Sequence, residues 1–218
     1  MDTDGHRAIH GRITAHLQRG HRDYARGKLR FDPAYAEVAR LLGDSDTDLL
    51  DIGCGIGLLG FYLRECGFRG AYRGVDVDAA KIAAARAAAC HYADLCFEAV
   101  DASVLPTFRG HVALLDVLHY LHHADQARLL HAAAARVAPG ALLIVRNVLR
   151  DRSWRFRATV VEEKILYATR WMCSPARHFP CREEVEAPLR AAGLDVETRP
   201  LWGVTPFNSF VIVARRSR

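Results

Sequence analysis

The sequence has six cysteines among 218 residues but no pair in a C-x-x-C arrangement. This absence argues against a zinc site of that type and against a thioredoxin-like redox motif. Several of the cysteines lie in apolar stretches, which is typical of small buried hydrophobic residues in a reducing compartment.

No hydrophobic run approaches the length needed to cross a bilayer, and residues 1–7 lack the apolar core of a signal peptide. We therefore expect a cytoplasmic protein without a membrane anchor. The formal net charge of +5 comes almost entirely from scattered arginines, with a modest cluster at 146–157. That distribution is too diffuse to predict a nucleic-acid interface, so nucleic acid is not an expected partner.

The most informative stretch is 49–63, LLDIGCGIGLLGFYL. An apolar run that ends in an acid, then alternate glycines, then apolar residues at helical spacing predicts a buried strand, a tight turn and a helix. Gly53, Gly55 and Gly57 can adopt positive φ and let a ligand approach the backbone closely. The N-terminus of the following helix directs free N–H groups at the same place.

Two kinds of cofactor use such a turn. The spacing Gly55-x-Gly57-x-x-Gly60 satisfies the dinucleotide fingerprint, in which a pyrophosphate sits on the helix N-terminus. Asp51, however, lies two residues before the first glycine, where a carboxylate opposes a diphosphate but suits a cation. The pattern Asp51-x-Gly53-x-Gly55-x-Gly57 resembles motif I of the class I S-adenosylmethionine-dependent methyltransferases, whose cofactor carries an ammonium and a sulfonium group but no phosphate.

A second carboxylate, Asp76, follows the next predicted strand 25 residues after Asp51. At that strand tip a carboxylate can accept both hydroxyls of a ribose. Asp101 follows the third predicted strand, 95–100, where the resemblance implies a contact to the adenine amino group; a helix N-cap is the alternative. Asp78 is predicted to cap the helix over 79–91.

The fourth predicted strand, 111–115, ends in DVLHYLHH, which resembles the small-molecule form of the family's motif IV. It lacks the Asn/Asp-Pro-Pro-Tyr tetrad, which counts against methylation of nucleobases. His119 is either a general base, since imidazole titrates near working pH, or a packing residue. The neighbouring histidines have few other donors nearby in sequence, so no metal site is predicted.

Two helices are expected before the motif, an amphipathic one over 6–28 and one from Asp32-Pro33 to Leu42. The resemblance implies that they cover the cofactor and part of the substrate pocket. Tyr24, Lys28 and Arg30 are candidates for reaching inward, with Arg30 placed to clamp the methionine carboxylate. Solvated basic residues on a helix face are the alternative.

Residues 148–180 interrupt the alternation of strands and helices with aromatic and arginine side chains. An insertion at this place in the family builds the acceptor pocket, and a homodimer interface is the alternative. A last helix from Arg182 is followed by strands over 194–198 and 207–214. Their connection is too short for a parallel crossover, so these strands are expected to be antiparallel, unlike the last strand of a dinucleotide-binding sheet.

The predicted fold is therefore α/β, a Rossmann-like seven-stranded, mostly parallel sheet with a C-terminal antiparallel hairpin and helices on both faces. A single methyltransferase domain over 1–218 would comprise lid helices (1–44), a cofactor-binding core (45–147), a helical insert (148–180) and the last helix with the hairpin (181–218). The predicted catalytic residues are His119 and His122. The predicted substrate contacts are Tyr24, Tyr120, Trp154 and Tyr167. The predicted cofactor contacts are Arg30, Asp51, Gly53, Gly55, Gly57, Asp76, Val77, Asp101, Ala102, Asp116, Val117 and Leu118.

The resemblance implies methyl transfer from S-adenosylmethionine to a small molecule. The aromatic and arginine side chains of 148–180 suit an aromatic, or a long and acidic, acceptor. The whole chain also resembles methyltransferases of bacterial polyene or fatty-acid-like biosynthesis, which implies a phenolic acceptor or an acyl intermediate. Three alternatives stay open: an NAD(P)-dependent oxidoreductase, a methyltransferase acting on RNA or protein, and a non-catalytic module that binds the cofactor.

Overall fold

The computed structural model describes residues 3–101, 104–168, 175–204 and 206–217. The chain divides into two compact units, 1–108 and 109–218, which are taken in turn. No helix within the described ranges combines the length and the apolar character that a bilayer crossing requires.

The first unit carries three helices before β1, and a set of parallel strands lies around the glycine turn that follows β1. β1 pairs with β2 and β2 with β3, each in parallel, as expected for strands separated by helices. Its elements are α1 Thr3–His16, α2 Arg19–Phe31, α3 Ala34–Leu42, β1 Leu49–Ile52, α4 Leu58–Glu65, β2 Tyr72–Asp76, α5 Ala79–Ala89 and β3 Leu95–Ala99.

The single helix predicted over 6–28 is wrong, because two helices occupy this region. The chain leaves helical geometry at Gln18, whose backbone is extended at φ −61° and ψ 149°. The Arg22 side chain turns back and donates from Nε to the Leu17 carbonyl at 2.9 Å, which satisfies an acceptor at the break. The next helix begins at Ala34 with Pro33 as its N-cap, one residue later than predicted, and Asp32 accepts a hydrogen bond from the Ala34 amide at 3.0 Å.

The second unit contains the remaining strands. β4 and β5 are parallel, whereas β7 is antiparallel to both β5 and β6. Its elements are β4 His111–Leu115, a 3₁₀ turn Leu118–Tyr120, α6 His123–Ala134, β5 Leu142–Val148, α7 Trp154–Ala168, α8 Arg182–Ala191, β6 Asp195–Pro200 and β7 Ser209–Arg215.

The strands form a seven-stranded sheet in the order β3-β2-β1-β4-β5-β7-β6. The antiparallel hairpin of β6 and β7 confirms the prediction made from the short connection between them. This Rossmann-like sheet with its reversed last strand is the predicted fold. The carboxyl ends of its parallel strands carry the acidic positions, which is where ligands bind in open α/β sheets.

Candidate functional site

The turn between β1 and α4 adopts the backbone geometry that its glycines predict. Gly53, Gly55 and Gly57 have φ values of 80°, 55° and 82°, in the left-handed region. A Cβ at Gly55 would meet no atom within 4 Å, so the turn is open there. A Cβ at Gly57 would lie 2.6 Å from Cζ of Phe97. The turn is therefore packed against an aromatic ring on one side and accessible on the other.

Asp51 is a buried carboxylate at the end of β1, with 2% of its surface exposed. Its Oδ2 accepts a hydrogen bond from the Tyr72 hydroxyl at 2.5 Å. Burial raises the pKa of Asp51 to about 7, the hydrogen bond from Tyr72 opposes the rise, and the charge of Asp76 adds to it. A cation near this carboxylate would favour its ionised form.

Tyr72 can reach Asp51 because α4 has a glycine where the ring passes. A Cβ at Gly60 would lie 2.8 Å from Cε1 of Tyr72. Gly60 is the third glycine of the apparent dinucleotide fingerprint. In this structure its missing side chain makes room for the tyrosine that holds the acid.

Asp76, at the end of β2, is tied to the glycine turn. Its Oδ2 accepts from the Gly55 amide at 2.8 Å, and its Oδ1 accepts from the Asp78 amide at 2.9 Å. Asp51 pairs in register with Gly74 on β2, so the two acids lie on neighbouring parallel strands. The next residue, Val77, has 72% of its surface exposed and offers an apolar face beside the Asp76 carboxylate.

Three further residues predicted for the cofactor (Arg30, Asp101 and Ala102) and one predicted for the substrate (Tyr24) are exposed or lie outside the described residues. The Asp101 side chain is exposed, and its carbonyl accepts from the Val104 amide at 2.9 Å. Ala102 lies outside the described residues. Tyr24 and Arg30 are exposed on α2, and the Arg30 guanidinium lies 5.3 Å from the centre of the Phe31 ring.

Lys28, the third inward candidate on α2, forms an ion pair with Asp32 at 2.9 Å. This contact lies within the helix and its C-cap, so it stabilises the end of α2 near its negative carbonyl groups. The contacts predicted for Tyr24, Lys28 and Arg30 on α2 therefore stay predictions.

In the second unit, Asp116 follows β4 with a positive φ of 60°. Its carboxylate forms an ion pair with the buried guanidinium of Arg146, and Arg146 also donates from Nη2 to the Ser209 hydroxyl at 2.9 Å. Val117 is half-buried and Leu118 is fully buried. The guanidinium of Arg146, on β5, thus holds Asp116 at a positive φ directly after β4.

His119 lies in the 3₁₀ turn with 2% of its surface exposed. Its Nδ1 is 3.1 Å from Oδ1 of Asn147, and the amide nitrogen of Asn147 donates to the Val148 carbonyl at 2.8 Å. Because Asn147 presents its oxygen, Nδ1 of His119 carries the proton and Nε2 is the basic nitrogen. The Phe179 ring is stacked on the imidazole, with centroids 5.6 Å apart, and the Tyr120 ring lies at 4.1 Å.

His122, the second predicted catalytic residue, is exposed. Its Nε2 lies 2.5 Å from Nη1 of Arg177. A guanidinium can only donate, so Nε2 of His122 is the acceptor in this contact. His119 and His122 therefore have different surroundings, and the buried one has the fixed tautomer that a base requires.

Two predicted substrate contacts lie on α7. Trp154 has 64% of its surface exposed, and the Arg155 guanidinium lies 5.0 Å from its ring and 4.6 Å from that of Trp202. These cation–π contacts join α7 to the loop before β7. Tyr167 belongs to α7, and its side chain lies outside the described part of the structure.

Sequence reasoning missed three residues that hold the predicted ones: Tyr72, Arg146 and Asn147. A signal for the last two is present, because Arg146 and Asn147 are polar residues at the end of an otherwise apolar run, 141–148. Buried polar groups of this kind are retained when they have specific partners. Tyr72 gives no such signal, since a tyrosine in a strand is ordinary.

The family model described as "Methyltransferase domain" matches residues 21–199. No curated protein sequence matches the chain. The family match confirms the family predicted from the Asp51–Gly57 motif and, with it, the predicted cofactor, S-adenosylmethionine.

Solved structures share the fold at low sequence identity. The pyocyanin biosynthetic protein PhzM is 22% identical with a TM-score of 0.70, over 94% of this chain and 62% of that one. Magnesium protoporphyrin IX methyltransferase from Synechocystis, with bound S-adenosylhomocysteine, is 20% identical with a TM-score of 0.65, over 84% and 80%. The (4+2)-cyclase SpnF is 17% identical with a TM-score of 0.67, over 85% and 80%. The chain thus spans about three fifths of the length of PhzM.

Proposed function

Because the chain belongs to the methyltransferase-domain family, we propose that it transfers the methyl group of S-adenosylmethionine to an oxygen of a small-molecule acceptor, either a phenolic hydroxyl or the carboxylate of an acyl precursor. The observation that carries the proposal is the pairing of Asp51 and Asp76 around an open glycine turn. The proposed acceptor class and the proposed roles of single residues rest on the side chains that each unit offers.

The first unit offers groups that match the cofactor. The Asp51 carboxylate, held by Tyr72, suits the ammonium group of the methionyl end. Asp76 suits the ribose diol, with its oxygens already oriented by two backbone amides. The apolar face of Val77 suits the adenine ring, and the open side of Gly55 lets the cofactor approach the backbone. A pyrophosphate in the same place would meet two carboxylates, which disfavours a dinucleotide.

In the second unit, His119 is the proposed base. When bound, the cofactor supplies an electrophilic methyl group on a positively charged sulfur. With a phenolic acceptor, Nε2 of His119 would accept the hydroxyl proton, so that the acceptor oxygen could take the methyl group that the cofactor supplies. Asn147 stabilises the imidazolium that results, because its oxygen accepts from Nδ1 in both protonation states. A carboxylate acceptor has no proton to lose, so with it His119 would serve only as a packing residue.

The fold alone does not fix the reaction, as the cyclase among the structural relatives illustrates. Two further members of the predicted set, Tyr120 and Trp154, support an aromatic acceptor because flat rings bind well beside other aromatic rings. A macromolecular acceptor is disfavoured by the scattered charge of the chain.

Calorimetry with S-adenosylmethionine, S-adenosylhomocysteine and NAD tests the cofactor assignment. We expect the first two to bind and NAD not to bind. Asp76→Ala should weaken S-adenosylmethionine at least about tenfold, since a charge-assisted hydrogen bond is worth about 1.5–3 kcal/mol. Arg73→Ala, on the same strand but paired with Glu98 on β3, is the control. Binding of NAD alone would overturn the proposal.

Methyl transfer itself is tested with the labelled methyl donor and two panels of acceptors, phenols and fatty acids. Mass spectrometry reports which panel gains a methyl group. If phenols are labelled and His119→Ala strongly reduces that labelling, His119 is supported as the base. If fatty acids are labelled and His119→Ala leaves that labelling unchanged, His119 is a packing residue. Label in neither panel, with label in cellular RNA or protein, would contradict a small-molecule acceptor.

A further inference from the structure

The second unit brings together three side chains of the types that bind metals, next to the predicted histidine site. His123 opens α6, His178 lies in the segment before α8, and Glu184 lies in the first turn of α8. Nε2 of His178 is 3.1 Å from Oε2 of Glu184, and Nδ1 of His123 is 3.8 Å from Oε1. One donor atom from each residue lies within 4.8 Å of the others. Residues distant in sequence thus converge on one point.

The backbone around these residues is fixed by buried contacts. Gln126, on α6, is 2% exposed and donates from Nε2 to the carbonyls of His178 and Leu118, each at 2.8 Å. The His178 amide donates to the His119 carbonyl at 3.3 Å. On α8, Glu184 also accepts from the Cys181 amide at 2.7 Å, as part of a capping box. The three donors are therefore held on a frame that exists without a metal.

We propose that His123, His178 and Glu184 bind a divalent transition-metal ion such as Zn²⁺. Two imidazole nitrogens and a carboxylate oxygen are ligands that zinc prefers, and a tetrahedral ion places two such ligands about 3.3 Å apart. Each imidazole nitrogen lies at a comparable distance from one of the two carboxylate oxygens, 3.1 Å for His178 and 3.8 Å for His123. The His123 side chain is 62% exposed, so it has room on its solvent side to adjust. Solvent completes the coordination.

A cation already neighbours the carboxylate. Arg150 donates from Nη2 to Oε1 of Glu184 at 3.2 Å, and its side chain is 50% exposed. A bound ion would either displace this guanidinium or share the Glu184 carboxylate with it. Displacement costs little free energy, because an exposed ion pair is weak. The sequence predicts no metal because His123 is separated from His178 and Glu184 by more than fifty residues, and only the fold brings them together.

The ion has a structural consequence. The ion joins three parts of the unit: α6, the residues 175–181 that precede α8, and α8 itself. Phe179 belongs to the second of these parts, and its ring is stacked on His119. Metal binding to the folded state therefore stabilises the second unit and fixes the wall of the histidine site. The proposal stands independently of methyl transfer, because its test reads metal binding and not turnover.

The test is calorimetric titration of metal-free protein with Zn²⁺, together with thermal unfolding. We expect one equivalent to bind and to raise the melting temperature. His123→Ala and Glu184→Gln should each weaken binding at least about tenfold and remove the thermal shift. His131→Ala, an exposed histidine on the same helix, is the matched control and should bind as the wild type does.

Co²⁺ serves as a spectroscopic probe, because the chain has six cysteines that could compete for metal. Ligand-field bands without a thiolate-to-cobalt charge-transfer band support nitrogen and oxygen ligands. No binding to the wild type, equal binding by His123→Ala, or a strong thiolate band would each refute the site. Since His123 is exposed, its substitution leaves the fold intact, which circular dichroism checks.

Discussion

Removing the Tyr72 hydroxyl should change how the cofactor affinity depends on pH. In the wild type, the pKa of Asp51 is raised to about 7 by burial, and the hydrogen bond from Tyr72 limits that rise. In Tyr72→Phe the carboxylate loses a donor worth about 1.5–3 kcal/mol. Because that hydrogen bond favours the ionised carboxylate, its loss should raise the pKa of Asp51 further.

The sign of the effect follows from the charge that the cofactor needs. Only the ionised carboxylate attracts the ammonium group, and it prevails above the pKa of Asp51. At pH 7, near the pKa of Asp51 in the wild type, a much smaller fraction of this carboxylate should be ionised in Tyr72→Phe. The variant should therefore bind about 5- to 50-fold more weakly at pH 7 and within about twofold of the wild type at pH 9.

Calorimetry with S-adenosylhomocysteine from pH 6 to pH 9 measures this profile. The amine of the ligand titrates equally with both proteins, so the difference between the proteins isolates Asp51. Tyr92→Phe is the control, since its hydroxyl contacts Glu65 at 3.2 Å on the surface of the same unit. A Tyr72→Phe profile parallel to that of the wild type would refute the link between Tyr72 and Asp51.

Three other substitutions test separate parts of the site. Asp76→Ala should weaken S-adenosylmethionine at least about tenfold by calorimetry, and unchanged affinity would remove Asp76 from the ribose site. His119→Ala should lower turnover about 10²- to 10⁴-fold with little change in cofactor affinity, whereas equal losses would indicate packing. Gly57→Ala should lower the free energy of unfolding in urea by at least about 2 kcal/mol, because a positive φ and the Phe97 ring both oppose a Cβ. Gly27→Ala, in open space on α2, should instead raise it by about 0.5–1 kcal/mol.

The glycine turn and the two acids could be predicted from the sequence because each depends on local chemistry. Positive φ at Gly53, Gly55 and Gly57 requires glycine, and an acid after a buried strand lies at a strand tip in any parallel sheet. The terminal hairpin was predictable for a similar reason, since a short connection permits only one strand direction.

The partners of the predicted residues could not be predicted, because they depend on register and packing. Tyr72 reaches Asp51 only because β2 is aligned with β1 and α4 lacks a side chain at Gly60. Asn147 reaches His119 from another strand, 28 residues away along the chain. The break at Gln18 was missed because the apolar spacing continues across it, and periodicity alone does not report a change of helix axis.

The ring of Phe97 occupies the space that side chains at two glycines would need. A Cβ at Gly57 would lie 2.6 Å from it, and a Cβ at Gly74 would lie 2.8 Å from it. The shape of the cofactor turn is thus set from β3, by a residue that need not touch the cofactor. Second-site suppression is the consequence at Gly74: Phe97→Leu should rescue Gly74→Ala in part, because the Cys54 side chain also lies within 3 Å of the added Cβ.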